Sequence, residues 1–273
     1  MASPSVDSAS MLAQLGSSTD VEWLDSIAHG ESRLHQAAVA SNLATATHTL
    51  VHLSSSENVM IRNRVAGHPN TPLELVLSFL SGDAETEKGI RSAAARNSNL
   101  PLPTIDELSN SKDLAILQGV VRNPKASKEL IAKVLDGLGD LETFDKVQVV
   151  EGALKNPNVP ARFLEKYAKS DIEKLKILVA SNINTPQKVL GELARDSSIT
   201  VSTEACYNYS TSMFDAAKFF YDQLESGGIL LDAEGEKVAA IEARADRELA
   251  ALGYDESTLD SITFKMKLKV LSA

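Results

Sequence analysis

Three bases recur at equivalent places in the chain. Arg96, Arg122 and Lys155 each stand immediately before an asparagine, and each follows a small residue, Ala93, Gly119 or Gly152, by three positions. A row of guanidinium and ammonium groups at repeat spacing suits carboxylates or phosphates. Arg62 and Arg91 extend the same row, so Arg62, Arg91, Arg96, Arg122 and Lys155 are the candidate binding residues. A base in the last turn of a helix also complements the helix dipole, typically by about 0.3–1 kcal/mol, and needs no ligand to do so. The dipole does not explain the small residue one turn below each base, because glycine weakens a helix by about 1 kcal/mol relative to alanine. Close approach of a neighbouring helix is one explanation, and close approach of an extended acidic partner is the other.

Other chemistry is sparse. All five histidines lie in the first 68 residues, and His48 and His52 are one helical turn apart, a spacing that suits a metal. No acidic or cysteine third ligand has an evident claim, so a solvated helix face is expected and no metal site is assigned. The chain has no phosphate-cradling glycine loop with lysine, no HExxH, no CxxC and no GxSxG. No catalytic residue is therefore assigned.

The elements that must position the bases come from a repeat. In Ile61 to Leu80, Ile61, Val65 and Ala66 form an apolar stripe at helical period, helix A. Gly67-His68-Pro69-Asn70 breaks it, since proline lacks the amide donor and disfavours helix before it. Thr71-Pro72-Leu73-Glu74 restarts a helix B, with Thr71 as the expected cap and Glu74 completing a capping box. Sliding this frame along the chain puts Asn42, His68, Asn97, Asn123, Asn156, Asn182 and Asn208 at one anchor position, separated by 26, 29, 26, 33, 26 and 26 residues. Thr45, Thr185 and Thr211 repeat the expected cap, and Thr19 with Glu22 implies a worn first unit anchored at Gly16. The anchors are expected to form a structural ladder, their side chains satisfying backbone groups left open at helix ends. Leu100-Pro101-Leu102-Pro103 and Gly137 to Thr143 read as turn insertions, and Asp83 and Asp171 as caps or lead-ins to the next helix A.

A period of 26 is too short for tetratricopeptide or ankyrin units, at about 33–34, or for HEAT and armadillo units, at about 40 or more. The string Val65-Ala66-Gly67-His68-Pro69-Asn70-Thr71-Pro72 resembles the V-A-x-N-P-x-T-P core of the bacterial leucine-rich repeat variant, and Val179 to Pro186 resembles it again. The resemblance covers roughly Met11 to Gln223. It implies an all-α, right-handed solenoid of about seven to eight 26-residue helical pairs with helical end caps, similar to HEAT and armadillo arrays, and attaches little function. The founding member carries a cysteine-bound iron–sulfur cluster. With Cys206 the only cysteine here, no cofactor is expected, and the thiol is read as buried core.

The 273 residues carry 43% hydrophobic content and a net charge of −10, with the acidity concentrated at the two ends. Residues 1–30 are expected to form an N-terminal cap with the degenerate first repeat, with Trp23 packing there. Residues 31–225 form the array. Residues 229–273 form a C-terminal cap or tail beyond Ser226-Gly227-Gly228, with Val238, Ile241, Ala245, Leu249 and Leu252 as a helical stripe stopped by Gly253. Phe264, Met266, Leu268 and Val270 alternate with lysines at strand period, but the helical context favours helix over strand in 259–271. No signal sequence and no membrane span are expected, which suits a cytoplasmic location. The acidic balance argues against an indiscriminate nucleic-acid binder. The expected function is a non-enzymatic scaffold that binds an acidic or extended segment of another protein. A nucleic-acid-binding repeat protein is the alternative, and a HEAT-like enzyme with an unrecognised site comes third.

Overall fold

The computed structural model describes residues 6–81, 87–226 and 235–272, so Asp83 and Gly227-Gly228 lie outside the described residues. Among the described residues the chain is helical throughout, with nineteen helices and no strand. It divides into two compact units, Met1–Asn158 and Val159–Ala273.

In the first unit, α1 (Val6–Ser17) and α2 (Val21–Ala28) precede four helix pairs. These are α3 (Arg33–Val39) with α4 (Thr47–Ser54), α5 (Val59–Gly67) with α6 (Leu73–Leu80), α7 (Lys88–Ala95) with α8 (Leu102–Leu108), and α9 (Leu114–Val121) with α10 (Lys128–Gly137). Helix α11 (Phe144–Leu154) closes the unit. The first helices of successive pairs pack on one another in chain order, α3 on α5, α5 on α7, α7 on α9 and α9 on α11. Their small and β-branched faces supply the core: Ile61, Val65, Ala66, Ala94, Ala95, Val120, Val121, Ala153 and Leu154 are fully enclosed. Trp23, on α2, packs part-buried against the core.

Helix ends follow a fixed frame. The second helix of each pair starts five residues after the anchor, at Thr47, Leu73, Leu102 and Lys128. The next first helix is capped sixteen residues after the anchor where that position is polar. Ser32 accepts from the His35 amide, Asn58 from Met60 and Asp113 from Ala115. Several expected caps differ. Asp20, not Thr19, caps α2 through the Trp23 amide. Pro72 occupies the cap position of α6 without a side-chain bond. Of its two expected roles, cap or lead-in, Asp171 takes the second, standing one residue before Ile172 at the cap position of α13. Leu102 and Pro103 belong to α8 rather than to an inserted turn. The longer gap between His68 and Asn97 falls between the end of α6 at Leu80 and the start of α7 at Lys88. The seven-residue insertion does fall after α10, where Gly139 has φ +62° and Thr143 caps α11.

The second unit contains α12 (Ala161–Tyr167), α13 (Glu173–Ser181) with α14 (Gln187–Leu193), and α15 (Ile199–Tyr207) with α16 (Met213–Glu225). Three further helices follow, α17 (Gly235–Ala251), α18 (Glu256–Ser261) and α19 (Phe264–Leu271). Ile241, Ala245 and Leu249 are buried on α17, and Gly253 follows with φ +97°. The lysine-rich segment is helical from Phe264, because Thr263 caps it through the Met266 amide. Lys267 is buried there and pairs with Asp246 at 2.6 Å and Glu242 at 3.5 Å. Cys206 is buried in α15, and burial pushes its thiol pKa up, so it stays protonated and inert. No helix among the described residues is long and apolar enough to cross a membrane.

Candidate functional site

The anchor side chains lie across the ends of the preceding first helices. In the first unit, Asn97 Nδ2 donates to the carbonyls of Ala66 and His68 at 2.8 and 2.9 Å. Asn123 Nδ2 donates to Ala95 and Asn97 at 3.0 and 3.1 Å, and Asn156 Nδ2 to Val121 and Asn123 at 2.8 and 3.3 Å. Asn42 does the same to Leu15 and Ser18. Each Oδ1 accepts the amide two residues on, at Ala44, Asn99, Lys125 and Asn158. In the second unit Asn208 bonds to Ala180 and Asn182, and Asn182 Oδ1 accepts from Asn184. One amide thus satisfies a carbonyl left open at a helix end, adds a second donor to the preceding anchor's carbonyl, which already accepts a turn amide, and pins its own turn.

The anchor threonines act differently from their expected role. Thr45, Thr71 and Thr185 donate from Oγ1, at 2.6 Å, to the carbonyl six residues back, at Val39, Val65 and Val179. Thr211 bonds to Ala205 likewise. They tie the turn to the helix before it instead of capping the helix after it. A second set of amides, two residues after the anchors, carries a parallel ladder. Asn70 bonds to the carbonyls of Leu43 and Thr45, Asn99 to Pro69 and Thr71, and Asn158 to Ala126. The recurrence of asparagine at that offset was the signal for it.

His68 is the one imidazole among the anchors. Its Nδ1 accepts the Asn70 amide at 3.1 Å, so Nε2 carries the proton and donates to the Asn42 carbonyl at 2.8 Å. Burial lowers its pKa, partly offset by the bond to Asn42. The folded state therefore keeps this histidine neutral where the unfolded chain, below pH about 6.5, takes up a proton. Stability from His68 is complete above that pH and declines as the pH falls toward the folded value. His68→Asn, which restores the residue found at the other anchors, should shrink the loss of denaturant stability between pH 7 and 5.5. Equal losses in both proteins would rule out His68 as the source.

The five candidate bases separate into two groups. Arg62 is engaged, with Nη1 on the Ser56 carbonyl at 2.7 Å and Nη2 on Glu87 at 2.9 Å. Arg91 is buried and paired with Asp113 at 2.5 Å. Neither lines the cleft that the other three share. Arg96, Arg122 and Lys155 instead line one cleft of about 470 Å³, with Gly152, Asn156, Pro124 and Pro157 as the rest of its wall. No carboxylate lines it. Arg96 and Lys155 are exposed and Arg122 is half-buried, its Nε enclosed with no hydrogen-bond partner among the described residues. Burial lowers the Arg122 pKa, the neighbouring Arg96 adds to the effect, and Glu151 opposes it. The guanidinium nevertheless stays charged.

The small residues below the bases serve packing between helices, which replaces the alternative of partner approach. A Cβ on Gly119 would sit 2.5 Å from Ala95 Cβ, and closer still to the Ser92 carbonyl, so α9 lies directly on α7 there. A Cβ on Gly152 would meet Arg122 Nε at 2.9 Å, so that glycine makes room for the arginine. The Ala95 and Val121 carbonyls beside the bases are already taken by Asn123 and Asn156.

The histidines do gather around a carboxylate that their sequence spacing did not reveal. His48 Nε2 lies 3.2 Å from Asp25 Oδ1, which also accepts from Thr49 at 2.6 Å, and the His29 and His52 rings stack at 4.0 Å. The Thr49 bond heads the causes that lower the Asp25 pKa. No group of three or more ligating side chains among the described residues is arranged to hold a metal ion. In comparison with known proteins, the chain matches no protein-family model and no curated protein.

Proposed function

We propose that this protein is a non-enzymatic helical-repeat scaffold of the leucine-rich repeat variant kind. It would be a right-handed array of about seven to eight 26-residue pairs that captures an acidic, extended segment of another protein. The observation that carries the reading is the cleft in which Arg96, Arg122 and Lys155 meet without a carboxylate in its wall. Several bases elsewhere in the chain have acid partners, as Arg62 has Glu87, Arg91 has Asp113, Lys176 has Asp196 and Lys267 has Asp246. Three cations that line one cleft with no carboxylate in its wall repel one another, and an incoming anion relieves that repulsion. Helix-end chemistry accounts for less of their presence, since the adjoining carbonyls already have amide donors.

The test is capture from a native lysate. Arg96→Glu with Lys155→Glu changes two exposed side chains and leaves Arg122 over Gly152, so the melt should stay within a few degrees of the parent. Partner recovery should fall at least tenfold, with or without nuclease treatment. Undiminished recovery by the folded double variant would place binding elsewhere. Recovery abolished by nuclease alone would favour the nucleic-acid alternative.

A further inference from the structure

Resting on that reading of the cleft, we propose that the group it recognises is a phosphoryl ester on a serine or threonine of the partner segment, rather than a glutamate or aspartate side chain. Three cationic side chains, Arg96, Arg122 and Lys155, line this one cleft. A carboxylate brings one charge and two oxygens, enough for one guanidinium. A phosphoryl ester brings about −1.5 to −2 charges and three acceptor oxygens, so one group can be shared among three donors.

The state of Arg122 sharpens the preference. Its guanidinium is half-buried on Gly152 beside Arg96, and its Nε has no acceptor. The acid that counters it, Glu151, is itself buried and does not line the cleft. A ligand that compensates both arginines at once needs more than a single negative charge. The wall formed by Pro124 and Pro157 adds no backbone donor, so discrimination falls to the three side chains.

A nucleic-acid strand fits less well. Each phosphodiester carries one charge, and affinity accumulates over a run of basic contacts. Here the neighbouring bases are spent, Arg62 on Glu87, Arg91 on Asp113 and Lys125 on the Leu100 carbonyl. The chain as a whole is at −10.

Three capped pentapeptides, alanines around a central phosphoserine, glutamate or serine, provide the test, with a short oligothymidylate as the fourth ligand. Each is titrated into the full chain while the side-chain NεH signals of the arginines are followed by NMR. The Arg96 and Arg122 signals should shift with the phosphoserine peptide at least about tenfold more tightly than with the glutamate peptide, and not with serine. Arg96→Gln with Lys155→Gln should remove the shifts. Glutamate binding as tight as phosphoserine would overturn the phosphoryl preference and leave the acidic-segment reading standing. No shift with either anionic peptide would overturn both. Oligothymidylate binding as tight as the phosphopeptide would assign the cleft to nucleic acid.

Discussion

Asn123→Ala should cost the protein about 3 kcal/mol of unfolding free energy and lower its melting temperature by roughly 6–12 °C. The Asn123 amide is fully buried and makes three bonds, donating to Ala95 and Asn97 and accepting from Lys125. Truncation leaves the Ala95 carbonyl and the Lys125 amide without their partner and takes one of two donors from the Asn97 carbonyl, which keeps the Leu100 amide; an orphaned buried group costs about 1–3 kcal/mol. Asn208→Ala should cost less, because Asn208 is only half-buried and solvent can take over part of its bonding. Asn123→His should be milder than alanine, since an imidazole already serves at His68 with one donor and one acceptor. Thermal melts of the three variants decide the matter. Equal melts for Asn123→Ala and the parent would show that the ladder adds nothing to stability.

Gly119→Val should be as damaging, at about 3 kcal/mol, for the opposite reason: it adds atoms where there is no space. The nearest obstacles to a Cβ at that position are the Ser92 carbonyl, the Ala95 Cβ and the Arg96 backbone nitrogen, none of them the far end of a flexible side chain. Helices α7 and α9 would have to separate. Even Gly119→Ala should destabilise, although alanine is the better helix former by about 1 kcal/mol. Gly16→Ala, also within a helix, meets nothing within 4 Å and should stabilise by up to about 1 kcal/mol. Opposite signs for the same substitution at Gly16 and Gly119, read from urea midpoints, would confirm that α7–α9 contact sets the second value. A neutral Gly119→Ala would contradict that close approach.

The helical elements were legible in the sequence because each unit carries its own punctuation. Prolines and anchors stop one helix, and an apolar stripe at period 3.6 writes the next. The anchor asparagines could be picked out for the same reason, since their spacing is local and repeated. What escaped sequence reading depends on neighbours one unit away. Thr71 has a local capping reading and a tertiary one, and only the fold decides that its hydroxyl turns back to Val65. Arg62 and Arg91 look like Arg96 and Arg122 along the chain, yet Glu87 and Asp113, 25 and 22 residues on, neutralise the first two. Asp25 reaches His48 across α2 and α4, at a separation no ligand-spacing rule anticipates. The glycines before the bases were visible as oddities, but what approaches them was not.

The most direct test of the proposed function is amide hydrogen exchange on the full chain, alone and bound to the partner it captures, read by mass spectrometry. Binding in the cleft predicts added protection in the turns after α9 and α11, at Arg122, Asn123, Lys125, Lys155, Asn156 and Asn158, with the surfaces of α4 and α6 unchanged. Protection confined to α4, α6 or the second unit, with those turns exchanging as in the free protein, would contradict it.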